Sequence, residues 1–276
     1  MKDRAFKQVD VFTDTRYRGN PLAVVLDGED IEPARMAGFA NWTNLSETTF
    51  LLPPTDAGAD YRVRIFTPLR ELPFAGHPTL GSCHAWLEAG GQPRQPDEIV
   101  QQCELGLIRV RRTGDGLAFA APGFVRDGPL AEASVAQICR ALGIARNDVL
   151  HHQWIDNGPG WQGVVLRSAA QVLALRPDVA ALGDIKLGVI GAHPQGHDCA
   201  FEVRAFFGSV EDPVTGSLNA GFARWLIGAG LAPPSYVAAQ GTALGRQGRV
   251  RIERDAAGDT WVGGQVVTCI DGQVTL

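Results

Sequence analysis

Four polar residues stand where a turn hands over to a regular element: Glu47, His77, Asp212 and Ser217. Their types suit proton transfer beside an anion. A carboxyl in a closed site has its pKa raised toward neutrality by desolvation, and can then take a proton from a carbon and return it elsewhere. Glu47 lies just before an apolar strand, in the run Leu45 to Phe50, where it is equally readable as a solvated strand entrance. His77 follows Gly76 at a helix start and can donate a hydrogen bond or relay a proton, or simply pack on its turn. Asp212 precedes Pro213, and Asp-Pro is also a common turn opener. Ser217 follows Gly216 and is a good N-cap by type. Its hydroxyl, with the N–H groups of Gly216 and Ser217, can bind a carboxylate or a developing enolate. Gly76 and Gly216 leave room for a substrate to approach the backbone closely.

The elements that must position these residues are written twice. Glu71, Pro73, Gly76 and Gly81 fall in the same register as Glu211, Pro213, Gly216 and Gly221, 140 residues further on. Each copy follows an apolar strand-like run and opens a helix-like run ending near Trp-Leu (Trp86-Leu87, Trp225-Leu226). A helix N-terminus carries free N–H groups and a positive dipole end, so two of them facing across a cleft would hold a carboxylate from both sides.

In the first half, Phe6 to Phe12, Leu22 to Leu26, Thr48 to Leu52 and the alternating Tyr61 to Phe66 read as strands. Helices are expected from Pro33 to about Trp42 and from about His77 to Ala89, with proline tolerated in the first turn of the former. Ile99 to Cys103, Leu107 to Arg112 and Leu117 to Ala120 form a meander. Pro122 to Pro129 is the linker candidate. It sets domains at 1–124 and 129–276, with the last strand free to return to the first domain. The second half offers helices near Ser134 to Leu142 and Ser217 to Ala229. Its strands are Val149 to Ile155, Gly163 to Leu166, Ile185 to Gly191, Ala200 to Phe207, Tyr236 to Gln240, Arg249 to Arg254, Trp261 to Val267 and Gln273 to Leu276. Ala85, Trp86, Ala220, Phe222, Ala223 and Trp225 lie on helices with little polar face, and such helices are buried. The expected fold is therefore α+β: two similar domains, each a curved, mostly antiparallel sheet around one central helix.

Composition narrows the function. The chain has 276 residues, 45% of them apolar and 33 of them glycine, as expected of a globular protein with many turns. Its net charge of −5 comes without a basic block, which argues against a nucleic-acid partner. No apolar run approaches the roughly 20 residues of a membrane helix, so no membrane partner is expected. The start of the chain lacks the apolar core of a signal peptide. The five cysteines, Cys83, Cys103, Cys139, Cys199 and Cys269, are scattered and form no CxxC pair, the usage of a reduced, cytoplasmic protein. His84, His151, His152, His193 and His197 show no metal-ligand spacing with Cys, Asp or Glu. No P-loop, dinucleotide fingerprint or GxSxG is present, so no metal and no cofactor are expected.

Four segments in order resemble the PhzF-like phenazine-biosynthesis family: Gly19-Asn20-Pro21 with the apolar run after it, Asn44 to Phe50, Phe66 to Thr79, and Glu211 to Ser217. Gln240-Gly241, Gly248-Arg249 and Trp261 to Gly264 extend the likeness over essentially the whole chain. The resemblance implies the diaminopimelate epimerase-like fold, with the active site in the interdomain cleft, and a homodimer. It implies that Glu47 is the proton-transfer residue and that His77, Asp212 and Ser217 assist. It also implies a cofactor-independent isomerase acting on a small carboxylic acid; the family's named activity isomerises trans-2,3-dihydro-3-hydroxyanthranilate in phenazine synthesis. Relatives with racemase activity carry a cysteine at each helix entrance. Here those turns read Ala75-Gly76-His77 and Thr215-Gly216-Ser217, and Cys83 lies deeper in its helix. A racemase or epimerase of an amino-acid-like acid, and a non-catalytic small-acid-binding dimer, are the alternatives. Leu218 stands where the family usually has a small alanine, and is expected to reshape the pocket beside Ser217.

Overall fold

Alternation along Tyr61–Phe66 buries Tyr61, Val63 and Ile65 and leaves Arg62 and Arg64 half-buried, the mark of a strand with one face on a core. Around such strands the computed structural model, which describes every residue except Asp115, forms two units. They are Met1–Ala120 with Gly263–Leu276, and Ala121–Val262.

The first unit holds β1 (Asp3–Val11), β2 (Asn20–Val25), α1 (Pro33–Thr43), β3 (Thr48–Leu52), β4 (Tyr61–Phe66), β5 (Glu71–Leu72), α2 (Gly76–Glu88), β6 (Glu98–Cys103), β7 (Gly106–Thr113) and β8 (Gly116–Ala120). Strand β2 runs parallel to β3, β3 antiparallel to β4, and β4 antiparallel to the short β5. Helix α2 is the crossover that lets β6 return parallel to β4, and β7 and β8 follow as hairpins.

The second unit repeats this order. It contains α3 (Glu132–Leu142), β9 (His151–Trp154), β10 (Trp161–Leu166), α4 (Ala169–Ala174), β11 (Lys186–Ala192), β12 (Phe201–Phe207), β13 (Val210–Asp212), α5 (Gly216–Gly228), β14 (Ser235–Gln240) and β15 (Gly248–Arg254). Strand β10 is parallel to β11, β11 antiparallel to β12, and β12 antiparallel to β13. Across α5, β14 lies parallel to β12, and β15 pairs antiparallel with β14. Then β16 (Thr260–Gly264) straddles the division, and β17 (Val266–Thr275) pairs along all of β1 in the first unit.

The two crossover helices are buried because each has few polar positions. In α2 every residue from Gly76 to Cys83 is buried, and in α5 Leu218 to Ala223 are. Glycine at matched positions lets them seat. A Cβ on Gly81 would lie 2.6 Å from Leu22 Cδ2, and one on Gly221 would lie 2.6 Å from the Ile155 carbonyl oxygen. Outer helices cover further apolar groups in each unit. Met36 and Ala40 of α1 pack with Phe50 and Phe66, and Val135 and Ile138 of α3 join Val172 of α4 over Val164, Leu187 and Val189.

Three readings change. The single strand expected at Trp261 to Val267 is two, β16 and β17, broken at Gln265, and the strand expected at Gln273 to Leu276 is the end of the ten-residue β17, which stops at Thr275. Helix α4 was not anticipated: it is six residues long, too short for periodicity to show, and is capped by the Ser168 hydroxyl accepting from the Gln171 N–H. The strand expected from Val149 to Ile155 is only His151–Trp154. No helix among the described residues is long and apolar enough to cross a membrane.

Candidate active site

In the first unit, α2 begins after Ala75, so His77 is its second residue. The first N–H groups of a helix have no acceptor one turn back, which leaves those of Gly76 and His77 outside the helical ladder. The His77 side chain is turned inward and is only 6% exposed. Its Nε2 lies 3.3 Å from Glu47 Oε2, and its Nδ1 lies 3.5 Å from the Asn20 amide nitrogen. Burial pushes the imidazole down to a pKa of about 3, so His77 is neutral near pH 7. An amide nitrogen can only donate. Asn20 therefore assigns Nδ1 the acceptor role, which places the ring proton on Nε2, toward Glu47. Glu47 itself has a side chain 15% exposed, which rules out the solvated strand entrance that the sequence left open. The Nε2 atom is buried and its approach to Glu47 is not aligned as a hydrogen bond, so it retains a directed N–H for a further acceptor.

In the second unit, α5 begins after Thr215, and this corrects the cap expected at Ser217: Thr215 is the N-cap residue and Ser217 sits in the first turn. A network locks the turn. The Thr215 hydroxyl donates to Asp212 Oδ2, and Gln240 of β14 accepts from the Thr215 N–H at 3.1 Å while donating to Thr215 Oγ1 at 2.9 Å. Asn219 donates to Gln240 Oε1 at 2.8 Å and to the Thr215 carbonyl at 2.9 Å. Asp212, buried to 8% exposure, is thus a fixed acceptor. Ser217 is held from β10 and the loop before it. The Trp161 indole donates to its Oγ at 3.0 Å and the Asn157 amide to its carbonyl at 2.8 Å. The structure thus brings Glu47 together with His77, and Asp212 together with the turn that opens α5.

Leu218 does not shape the entrance as expected. Its side chain is fully buried over β11, where a Cβ on Gly188 would lie 2.3 Å from Leu218 Cδ1. The missing side chain at position 188 makes the room for the larger one at 218. Cys83 is also fully buried, and burial pushes its thiol up to about 12, which leaves it inert as a nucleophile at neutral pH.

Sequence reading missed Asn20, Trp161, Asn157, Thr215 and Gln240. Asn20 and Gln240 lie within the family-like segments but read as turn and strand end, and Trp161 and Asn157 carry no local signal. One reading of the histidines needs correction, because His197, Asp198 and Cys199 do bring their ligand atoms within 4.8 Å of one another. In that turn His197 Nδ1 already accepts from the Cys199 N–H at 3.0 Å, and burial pushes the Cys199 thiol up to about 11. Its lone pair and thiol are poorly prepared to receive a cation.

Two repeated α+β units, each opening a buried helix with a polar side chain at its second residue, define an epimerase-like fold with a Glu47–His77 contact in one unit. The chain belongs to the phenazine biosynthesis-like protein (PhzC-PhzF) family, which it matches over residues 9–272. It is 38% identical over 296 residues to antisense-enhancing sequence 1 of Schizosaccharomyces pombe, covering 99% of both chains. It is 35% identical over 219 residues to the trans-2,3-dihydro-3-hydroxyanthranilate isomerase of Pseudomonas fluorescens, covering 76% of this chain and 74% of that one. Among solved structures, a PhzF-family phenazine biosynthesis protein of Enterococcus faecalis superposes with a TM-score of 0.82 at 24% identity, covering 100% of both chains.

Proposed function

We propose that this protein is a cofactor-independent isomerase that moves a proton between carbons of a small carboxylic acid, with the two units in different roles. Glu47 takes the proton from a carbon of the substrate and returns it to another, so the acid leaves with the same atoms and a shifted double bond. Ser217 and the N–H groups of the α5 entrance hold an anionic oxygen, and Asp212 orders that entrance. The observation that carries the reading is the contact of Glu47 with a histidine that burial keeps neutral. A charged imidazolium at that distance would hold Glu47 as a spent ion pair. A neutral one leaves the carboxylate basic and supplies an N–H for the substrate. The substrate class follows from the named activity of the Pseudomonas fluorescens relative. We propose a homodimer as the assembly, as the family resemblance implies.

The test is solvent deuterium incorporation into trans-2,3-dihydro-3-hydroxyanthranilate as the first acid tried, followed by mass spectrometry. Wild-type protein should introduce deuterium at carbon. The substitution Glu47→Gln, which keeps shape and removes the proton acceptor, should slow exchange by roughly 10²–10⁴-fold. Exchange at the wild-type rate in that variant would remove Glu47 from the role of base.

A further inference from the structure

The loop from Asp156 to Trp161 is built around Ser217. Asp156 Oδ1 accepts from the Gly158 N–H at 2.8 Å and the Gly160 N–H at 2.6 Å, and the Ile155 N–H closes the loop on the Trp161 carbonyl at 3.0 Å. Its two outward donors, Asn157 and Trp161, both end on Ser217. The Trp161 side chain cannot swing away, being part of a residue 3% exposed whose ring meets Phe207 edge-on at 6.0 Å.

We propose that Trp161 is a positioning residue: its indole N–H occupies a lone pair of the Ser217 hydroxyl and turns the hydroxyl proton away from the indole, toward an anionic oxygen of the ligand. This rests on the proposed anion-holding role of the α5 entrance. An indole nitrogen donates and cannot accept. With Trp161 donating to Oγ, the hydroxyl proton of Ser217 cannot be spent on the indole. A first-turn serine can spend its proton on the carbonyl four residues back. Thr79 of α2 does so, its hydroxyl donating to Ala75 at 2.9 Å. Among the described residues Ser217 makes no such bond, so its proton remains for a ligand. The first unit has the same device in different residues. Asn20 opens β2 as Trp161 opens β10, and its donor nitrogen faces Nδ1 of His77, the second residue of α2. In both units a donor at a strand entrance turns the second helical residue into a donor.

The test uses Trp161→Phe, which keeps the ring and deletes the N–H, with anthranilate as a stable aromatic carboxylate probe and anthranilamide as its uncharged counterpart. In wild-type protein the Trp161 indole proton should be protected from solvent exchange, and Ser217→Ala should shift its NMR resonance and speed its exchange. Calorimetry should show wild-type protein preferring anthranilate, and Trp161→Phe losing about tenfold or more of that affinity with little change for anthranilamide. If turnover of the dihydrohydroxyanthranilate is found, KM should rise by a similar factor with kcat nearly unchanged. An indole proton indifferent to Ser217→Ala, a wild type without preference for the acid, or equal losses for acid and amide would each overturn the proposal. Retained exchange in Glu47→Gln would remove only Glu47 from the role of base, and absence of exchange in the wild type would sink the isomerase reading; either would leave the indole and calorimetric results to stand alone.

Discussion

In the first unit α2 presents a buried histidine against a carboxylate; in the second, α5 presents a serine hydroxyl held by an indole. The frames around them agree closely. Arg64 and Glu71 form a two-bond ion pair at 2.7 Å each, and Arg204 and Glu211, 140 residues later, do so at 2.8 and 2.7 Å. Each arginine also lies over a phenylalanine two residues on, at 5.1 and 5.0 Å from the ring centre. Gln101 of β6 donates to Thr79 at 3.0 Å, and Gln240 of β14 accepts from Asn219, the matching helical position. The ion pairs fix the hairpins and the glutamines anchor the helices. The entrances differ at the second helical residue, in the strand groups that touch it, and in the turn, where Asp212 and Thr215 stand for Leu72 and Ala75. A repeated scaffold thus presents a histidine facing a carboxylate in one copy and a serine held by an indole in the other.

Exchanging the roles should fail unequally. Glu47→Gln should remove roughly 10²–10⁴-fold of turnover through kcat. Ser217→Ala should remove about 10–100-fold, chiefly through KM, because it deletes one charge-assisted bond. Steady-state kinetics on the same acid separates the two, and a kcat effect in Ser217→Ala as large as that in Glu47→Gln would abolish the division of labour. The ion pairs should differ in the same way. The side chains of Arg204 and Glu211 are 6% and 11% exposed, whereas those of Arg64 and Glu71 are 26% and 32% exposed. Glu211→Gln strands a buried guanidinium and should cost about 3–5 kcal/mol, while Glu71→Gln should cost about 1 kcal/mol or less. Urea unfolding of the two variants should give clearly separated midpoints; coincident ones would mean that water reaches both arginines equally.

The repeat, both crossover helices and the residues on their first turns were legible in the sequence because glycine and proline punctuate them and the strands before them alternate. Glu71 and Glu211 appeared in the matched register, but their partners did not, since Arg64 and Arg204 meet them only once a hairpin folds. The supports of the site were least legible. Trp161 acts on Ser217 from 56 residues away, and Gln240 on Thr215 from 25, both through strand neighbours that only the fold creates. The same holds for Leu218, whose bulk looked like a pocket feature until Gly188 was found beneath it. Local chemistry shows which groups can act, and long-range pairing decides which way they point.

Acid should expose the difference between the entrances most gently. His77 has its pKa lowered by burial from 6.5 to about 3, so between those values the unfolded chain binds a proton there that the folded chain refuses. Stability therefore rises with pH across that window, is complete above about 6.5, and is lost as the pH falls toward the folded value. At pH 5 the loss relative to neutral should be about 2 kcal/mol, set almost wholly by the unfolded pKa. His84 and His152, also lowered by burial, add a slope of the same sign that every variant keeps. His77→Gln should flatten the acid limb by about that 2 kcal/mol when unfolding free energies at pH 7 and pH 5 are compared. Ser217→Ala, which changes the matching position but removes no titrating group, should leave the limb parallel to wild type. If the His77→Gln curve instead ran parallel to wild type, the imidazole would be protonating in the folded state. Glu47 would then be ion-paired at the pH where it is assigned the role of base.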